Sequence, residues 1–217
     1  MKKEFLVPVI AVVLIAVFSV AAMMYDRQKT ADINESMQQY QSSLVRDHSP
    51  TTGDKSAKVT IVEFFDPACE TCKVFHPYVK EMMDQYSGKI KLVMRYSPFH
   101  QGSDVVVALL EASKLQNKYW ETLDAVYKTQ SLWTANHQAY PDKLWFLLGD
   151  VDLNFKQLEK DMQSEAVRKN IQLDISDGEQ LKVTKTPSFF VNGNPLINFG
   201  LENLQQMVKS EIDANYK

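Results

Sequence analysis

A run of β-branched and aromatic residues, KVTIVEFF at 58–65, ends four residues before Cys69, and helical spacing begins where Cys69 and Cys72, the chain's two cysteines, stand. A short apolar run of this composition predicts a buried strand. After it, Val74, Phe75, Val79, Met82, Met83 and Tyr86 recur at three- and four-residue intervals, and Gly88 supplies a stop. KIKLVMRY at 89–96 is strand-like again. A strand–helix–strand unit of this kind lays its strands parallel with the helix on one face. The cysteine pair is therefore expected where an apolar strand gives way to a helix.

The next eighty residues read as helices: SDVVVALLEASKLQNK, YWETLDAVYKTQ, PDKLWFLLGD, NFKQLEKDMQ and SEAVRKNIQLDISDGEQL all carry apolar residues at helical spacing. Ser103, Asn154 and Ser164 are expected N-caps, and Pro141 suits a first turn. TPSFFVNGNPLINFG at 186–200 reads as a hairpin turning at Asn192-Gly193, and LENLQQMVKSEIDANYK as a closing amphipathic helix. The order is βαβ, a helical block, then ββα. Trp120, Trp133, Trp145 and the Met82-Met83 pair are read as packing residues.

Ahead of this domain, Phe5–Met24 is a twenty-residue stretch without charge, preceded by Lys2 and Lys3. That length spans a bilayer core of about 30 Å as a helix, and the two lysines keep the N-terminus inside and send the rest outward. The alternative is a cleavable signal peptide, for which Val20-Ala21-Ala22 offers small residues. Either reading exports the remaining chain. Residues 25–57 are polar, poor in large aliphatics and turn-rich at 49–53, so they read as a tether, although DINESMQQYQSSLV has the pattern of a short helix. Residues 58–217 are enough for one domain with a proper core. The formal charge is −3; without Lys2, Lys3 and Glu4 the 24 basic and 27 acidic residues become 22 and 26, a charge of −4. This balance argues against a nucleic-acid surface.

A cysteine at a helix start has its thiolate stabilised by backbone N–H groups and the helix dipole, with pKa values of about 3.5 to 7.5 in such settings. Cys69, taken as the first helical residue, is then the nucleophile; Cys72, one turn in and less exposed, resolves the mixed disulfide. A purely structural disulfide gains little from so short a loop.

The strand–CETC–helix start, the helical insertion and Thr186-Pro187 before an aromatic strand together resemble the thioredoxin-fold superfamily. Within it, residues 58 to about 215 look like the DsbA-like thiol:disulfide oxidoreductases. The resemblance implies an α/β thioredoxin fold with a helical insertion at about 103–181. It implies exchange of thiols and disulfides on exported proteins, at a bacterial inner membrane facing the periplasm or in the periplasm if the N-terminus is cleaved. A redox-recycling partner is implied, and no bound cofactor, because the dithiol carries two electrons itself. In these proteins a cis-proline loop faces the dithiol and hydrogen-bonds the substrate backbone, a role that falls to Thr186 and Pro187. Glu63, six residues before Cys69, takes the strand position of a buried acid; a carboxyl in an apolar strand has a raised pKa and can exchange a proton with Cys72. Pro77 matches a helix-kinking proline. Between the cysteines the chain departs from the pattern: oxidising members usually carry histidine before the second cysteine, where this chain has Thr71, and Glu70 adds a negative charge that disfavours the thiolate. A milder redox poise is expected, with the direction of electron flow open.

Two other readings compete. Cys69, Cys72 and His76 offer three ligands of the kind zinc or copper accepts, which suggests a membrane-tethered metal chaperone, although His48, His100 and His137 are scattered. A binding module without redox chemistry is the other, with FFVNGNPL, Phe64, Phe65 and Phe99 forming a peptide groove; aromatics at such positions are more often core. His100 follows the second strand, at an edge where α/β folds place sites.

Overall fold

The computed structural model describes residues 20, 23–25, 27–28 and 40–216. The chain divides into two units, 1–42 and 43–217, and the second carries the sheet. The run 5–24 expected as anchor or signal lies outside the described residues apart from Val20, Met23 and Met24. Among the described residues no helix is long and apolar enough to cross a membrane.

Strands β2 (Val59–Phe65) and β3 (Ile90–Tyr96) pair in parallel, from Val59 opposite Ile90 to Phe65 opposite Tyr96, and helix α1 (Glu70–Gln85) joins them. Both faces of these strands are covered, so all but Thr60 and Lys91 are buried and neither sequence alternates. On the other side of β2, β6 (Ser188–Val191) runs antiparallel and turns into β7 (Asn194–Pro195) through Asn192 and Gly193, with φ of 47° and 85°. Two consecutive positive φ angles are what the tightest hairpins need, and Asn-Gly supplies them at least strain. Strand β1 (Thr51–Gly53) lies antiparallel beside β3, giving the order β1-β3-β2-β6-β7.

Strand β1 corrects the expected tether over 25–57. From residue 43 onward the chain is built into the domain: Leu44 is buried, Arg46 and His48 pair with Asp177 and Asp174, and Thr51–Gly53 join the sheet. Polar composition hid this because carboxylates and backbone hydrogen bonds hold the segment, with little apolar contact.

Between β3 and β6 come α2 (Ser103–Lys114), α3 (Tyr119–Lys128), α4 (Gln130–Trp133), α5 (Pro141–Leu144), α6 (Phe155–Met162) and α7 (Glu165–Gln180). A small hairpin of β4 (Thr134–Ala135) and β5 (Gln138–Ala139) interrupts them. Their apolar faces, including Leu110, Leu123, Val126, Trp133 and Leu158, form one core with the sheet, each such burial stabilising by about 1.5–3 kcal/mol. Asn154 and Ser164 cap α6 and α7 by accepting from Gln157 N–H and Val167 N–H, and Pro141 opens α5. The expected cap Ser103 is instead the first residue of α2; Gly102 takes the cap with φ 80°, where a Cβ would stand 2.7 Å from Ala139 O. Helix α8 (Leu201–Asn215) lays Leu204, Val208 and Ile212 against β2 and β6. Phe64, Phe65, Phe189 and Phe190 are all core, so the proposed aromatic groove loses them and keeps only the exposed Phe99.

Candidate active site

Asp66 directly follows β2, and its buried carboxylate accepts from Ala68 N–H at 2.8 Å, Phe99 N–H at 2.7 Å, His100 N–H at 2.8 Å and the Ser103 hydroxyl, with His100 Nδ1 also 2.8 Å away. One side chain thereby joins the loops that follow β2 and β3. From the helical block, the buried Gln130 amide donates to Pro67 O at 2.9 Å and Cys69 O at 3.0 Å. The backbone before α1 is thus held from two directions. Neither residue stood out in the sequence, and only the DP pair at 66–67 hinted at a strand end.

Cys69 is the N-cap of α1, one position before the first-helical-residue place expected for it. The displacement strengthens the electrostatic argument, because a cap side chain faces the free N–H groups of the first turn. Its Sγ accepts from Cys72 N–H at 3.4 Å. Both thiols are unbonded here. Cys69 retains 6% of its surface and Cys72 none.

Hydrogen bonding from the Cys72 thiol pulls the Cys69 pKa down; burial opposes this, and the Thr186 side chain and the N–H groups of Cys72 and Thr71 add to the lowering, leaving it at about 6 against an ordinary 9.0. Thr71 therefore acts through its backbone. Glu70, expected to oppose the thiolate, is exposed at the first position of α1. Burial first, then the hydrogen bond to Cys69 and the charges of Glu63 and Cys69, push Cys72 well above its usual range.

Thr186 meets the same sulfur from the loop before β6: its carbonyl oxygen is 3.3 Å from Cys69 Sγ, and the Thr186–Pro187 peptide is cis. Glu63 sits in the middle of β2 with 1% of its surface exposed, and burial followed by the charge of Cys69 raises its pKa from 4.5 to about 8. Its Oε1 has no hydrogen-bond partner among the described residues. Pro77 lies inside α1.

The three-ligand reading fails on geometry. His76 Nε2 is 2.7 Å from Asp124 Oδ1, its ring lies against Tyr127, and among the described residues no three His, Cys, Asp or Glu side chains converge as ligands. His100 is anchored to Asp66 and stacked on His137 at 6.3 Å between ring centroids.

Comparisons with known proteins agree with this geometry. The chain is 28% identical over 169 residues to a probable disulfide bond formation protein D of Bacillus anthracis, covering 74% of this chain and 76% of that one. It is 25% identical over 180 residues to a Na(+)/H(+) antiporter NhaA of Herminiimonas arsenicoxydans, a match that takes in 83% of the chain and 27% of the antiporter, so the chain spans about a quarter of that relative. Among solved structures it is similar to a thioredoxin-like oxidoreductase from Silicibacter pomeroyi, with a TM-score of 0.68, 26% identity, and coverage of 80% of this chain and 95% of that one. The thioredoxin family model spans residues 46–210, taking in both cysteines, Glu63 and the Thr186–Pro187 loop, and the chain belongs to that family.

Proposed function

We propose that this chain is a DsbA-like thiol:disulfide oxidoreductase acting on exported proteins. The observation that carries the reading is the Cys69 sulfur at the cap of α1, with its pKa lowered to about 6, standing 3.3 Å from the Thr186 carbonyl and directly over a fully buried Cys72. A sulfur so placed is a thiolate at neutral pH, and the thiolate is the reactive form.

In the reduced protein, Cys69 attacks a client disulfide; a Cys69–client bond forms and one client sulfur leaves as thiolate. Cys72 then gives its proton to the Glu63 carboxylate and attacks Cys69 Sγ. The Cys69–Cys72 bond forms, the Cys69–client bond breaks, and the second client sulfur leaves as thiolate. Two electrons pass to the client, and both client thiolates take protons from water. The reverse sequence oxidises a client dithiol. Glu63 suits the proton step because one of the two causes that raise its pKa is the Cys69 charge, which disappears once that sulfur is in a disulfide. Its carboxylate becomes easier to form at the stage when Cys72 needs a base. Thr186 and Pro187 hold the client backbone beside Cys69. No bound cofactor takes part, and a redox-recycling partner resets the pair. The exported setting rests on the run 5–24, as a membrane anchor or a cleaved signal. A Cys69 pKa of about 6 lies above the value of about 3.5 typical of the strongest oxidants, which favours a milder oxidising poise.

The test is the pH dependence of Cys69 alkylation, read with the equilibrium of the pair against glutathione. We expect a midpoint near 6 and complete loss of exchange in Cys69→Ser. An ordinary titration near 9, or exchange that survives the substitution, rejects the reading.

A further inference from the structure

The helical insertion reaches the dithiol through one side chain. Gln130 opens α4 with 2% of its surface exposed, and its amide nitrogen donates to two carbonyls at once, Pro67 O at 2.9 Å and Cys69 O at 3.0 Å. The residue is itself firmly seated. Thr134 Oγ1 donates to Gln130 O at 2.8 Å, Thr129 Oγ1 donates to Ala125 O at 2.7 Å, and the fully buried Trp133 donates its indole N–H to Val126 O at 3.1 Å. An amide in such a seat keeps its acceptors, because a buried donor left unpaired carries its full desolvation penalty.

What the two bonds hold is the junction between strand and helix. Cys69 is an extended cap residue, φ −72° and ψ 119°, whose carbonyl accepts the first helical bond from Lys73 N–H at 3.2 Å and whose N–H donates to Asp66 O at 3.0 Å. Its sulfur accepts from Cys72 N–H at 3.4 Å. Sulfur and carbonyl hang from the same Cα, so a backbone rotation there moves the sulfur relative to the N–H groups of the first turn. Fastening Pro67 O and Cys69 O to one nitrogen restrains the rotations of Ala68 and Cys69 that lie between them. The titratable groups that interact electrically with Cys69 are Cys72 of α1, Glu63 of β2 and Tyr127 of α3. Gln130 carries no charge, so its influence on the sulfur runs through position.

We propose that Gln130 is a positioning residue for thiol–disulfide exchange: from the helical insertion it fixes the Pro67 and Cys69 carbonyls, and so keeps the nucleophilic sulfur in the cap, aimed at the first-turn N–H groups. The proposal rests on the exchange reading and gives the insertion a part in it. Without the two bonds the Cys69 backbone samples rotations in which the sulfur leaves the cap. The thiolate then loses its donors, and the thiol form gains at its expense. The insertion thereby helps to set how oxidising the pair is, because a less stable thiolate makes a less oxidising disulfide.

The test is Gln130→Met, which keeps the length of the side chain and removes the donor nitrogen. We expect the Cys69 alkylation midpoint of the reduced protein to rise from about 6 to about 7, and the equilibrium against glutathione at pH 8 to move about tenfold toward the disulfide. Trp133→Phe is the comparison. It disturbs the packing of α4 and leaves the amide in place, so it should lower stability in urea with both readings at wild-type values. If Gln130→Met does not fold, Gln130→Asn, whose amide is one methylene short of the two carbonyls, should move both readings in the same direction by less. A folded Gln130 variant with unchanged midpoint and equilibrium overturns the positioning role whatever its stability, and so do equal shifts in Trp133→Phe. Failure of both Gln130 variants to fold assigns the bonds to stability and overturns the role as well. A midpoint near 9 in the wild-type protein, or exchange that survives Cys69→Ser, overturns the exchange reading instead.

Discussion

On one face of β2 and β3, Asp174 and Asp177 meet Arg95, Arg46 and His48; on the other, Glu63 Oε1 has no hydrogen-bond partner among the described residues. All three carboxylates are almost completely buried. Arg95 Nε donates to Asp174 at 2.9 Å and its terminal nitrogen to Asp177 at 2.6 Å, while its guanidinium lies 5.2 Å over the Phe64 ring. Arg46 holds Asp177 through two bonds of 2.8 and 2.6 Å, and His48 Nε2 is 2.6 Å from Asp174. At Asp177 burial pushes the pKa up, but the hydrogen bonds and charges of Arg46 and Arg95 outweigh it and hold the group below its usual range. At Glu63 burial goes unopposed and the pKa climbs to about 8. Equal burial gives opposite protonation according to partners: the Asp pair fastens the 43–49 segment to the domain, and the lone acid is left able to take and return a proton near neutrality.

The strongest way to break this contrast is Arg95→Met. It leaves two buried carboxylates short of their main cation and should cost about 3–5 kcal/mol in urea unfolding, with the Cys69 alkylation profile unchanged. A loss under about 1 kcal/mol would mean that the Asp pair is not held as described.

The contrast sharpens with pH. The Glu63 carboxyl titrates near 4.5 when unfolded and about 8 when folded. The folded state therefore binds more protons between those values, so this group's contribution falls as pH rises through the window and levels off above 8. Cys69 runs the other way: its contribution is fully present above 9.0 and is lost as pH falls through about 6. Comparing reduced wild type with Glu63→Gln isolates the carboxyl, and the variant should gain about 3 kcal/mol on wild type between pH 5 and 8. A difference that is flat with pH would show that Glu63 titrates as an ordinary carboxylate.

The smallest effect is expected for Arg46→Ala. This side chain keeps 29% of its surface exposed and shares Asp177 with Arg95, so unfolding should shift by about 1–2 kcal/mol. A loss as large as that of Arg95→Met would reverse the ranking of the two cations.

What was legible in the sequence is what neighbours in the chain decide. The strand 58–65, the CETC helix start, the Asn192-Gly193 turn and the caps Asn154 and Ser164 all follow from residues within a few positions of one another. Cys69 and Ser103 each fall one place from expectation at a helix end, where a cap and a first residue differ only in backbone geometry. Asp66 and Gln130 escaped because their partners lie tens of residues away: Asp66 reaches His100 and Gln130 reaches Cys69. The tether was overextended because Thr51–Gly53 becomes a strand solely by pairing with β3.

The sheet ends at both rims in strands too brief to invite an addition: β1 has three residues, and β7 has two, one of which is Pro195. Proline offers no N–H, and a rim this short gives a stray polypeptide little to align against. The sheet thereby offers an extended polypeptide little surface on which to accumulate as extra strands. On the proposed function, a client would be held at the sulfur and the loop beside it and released when the covalent bond is cut, and the blunt rims would keep the catalyst from seeding aggregation of its own clients.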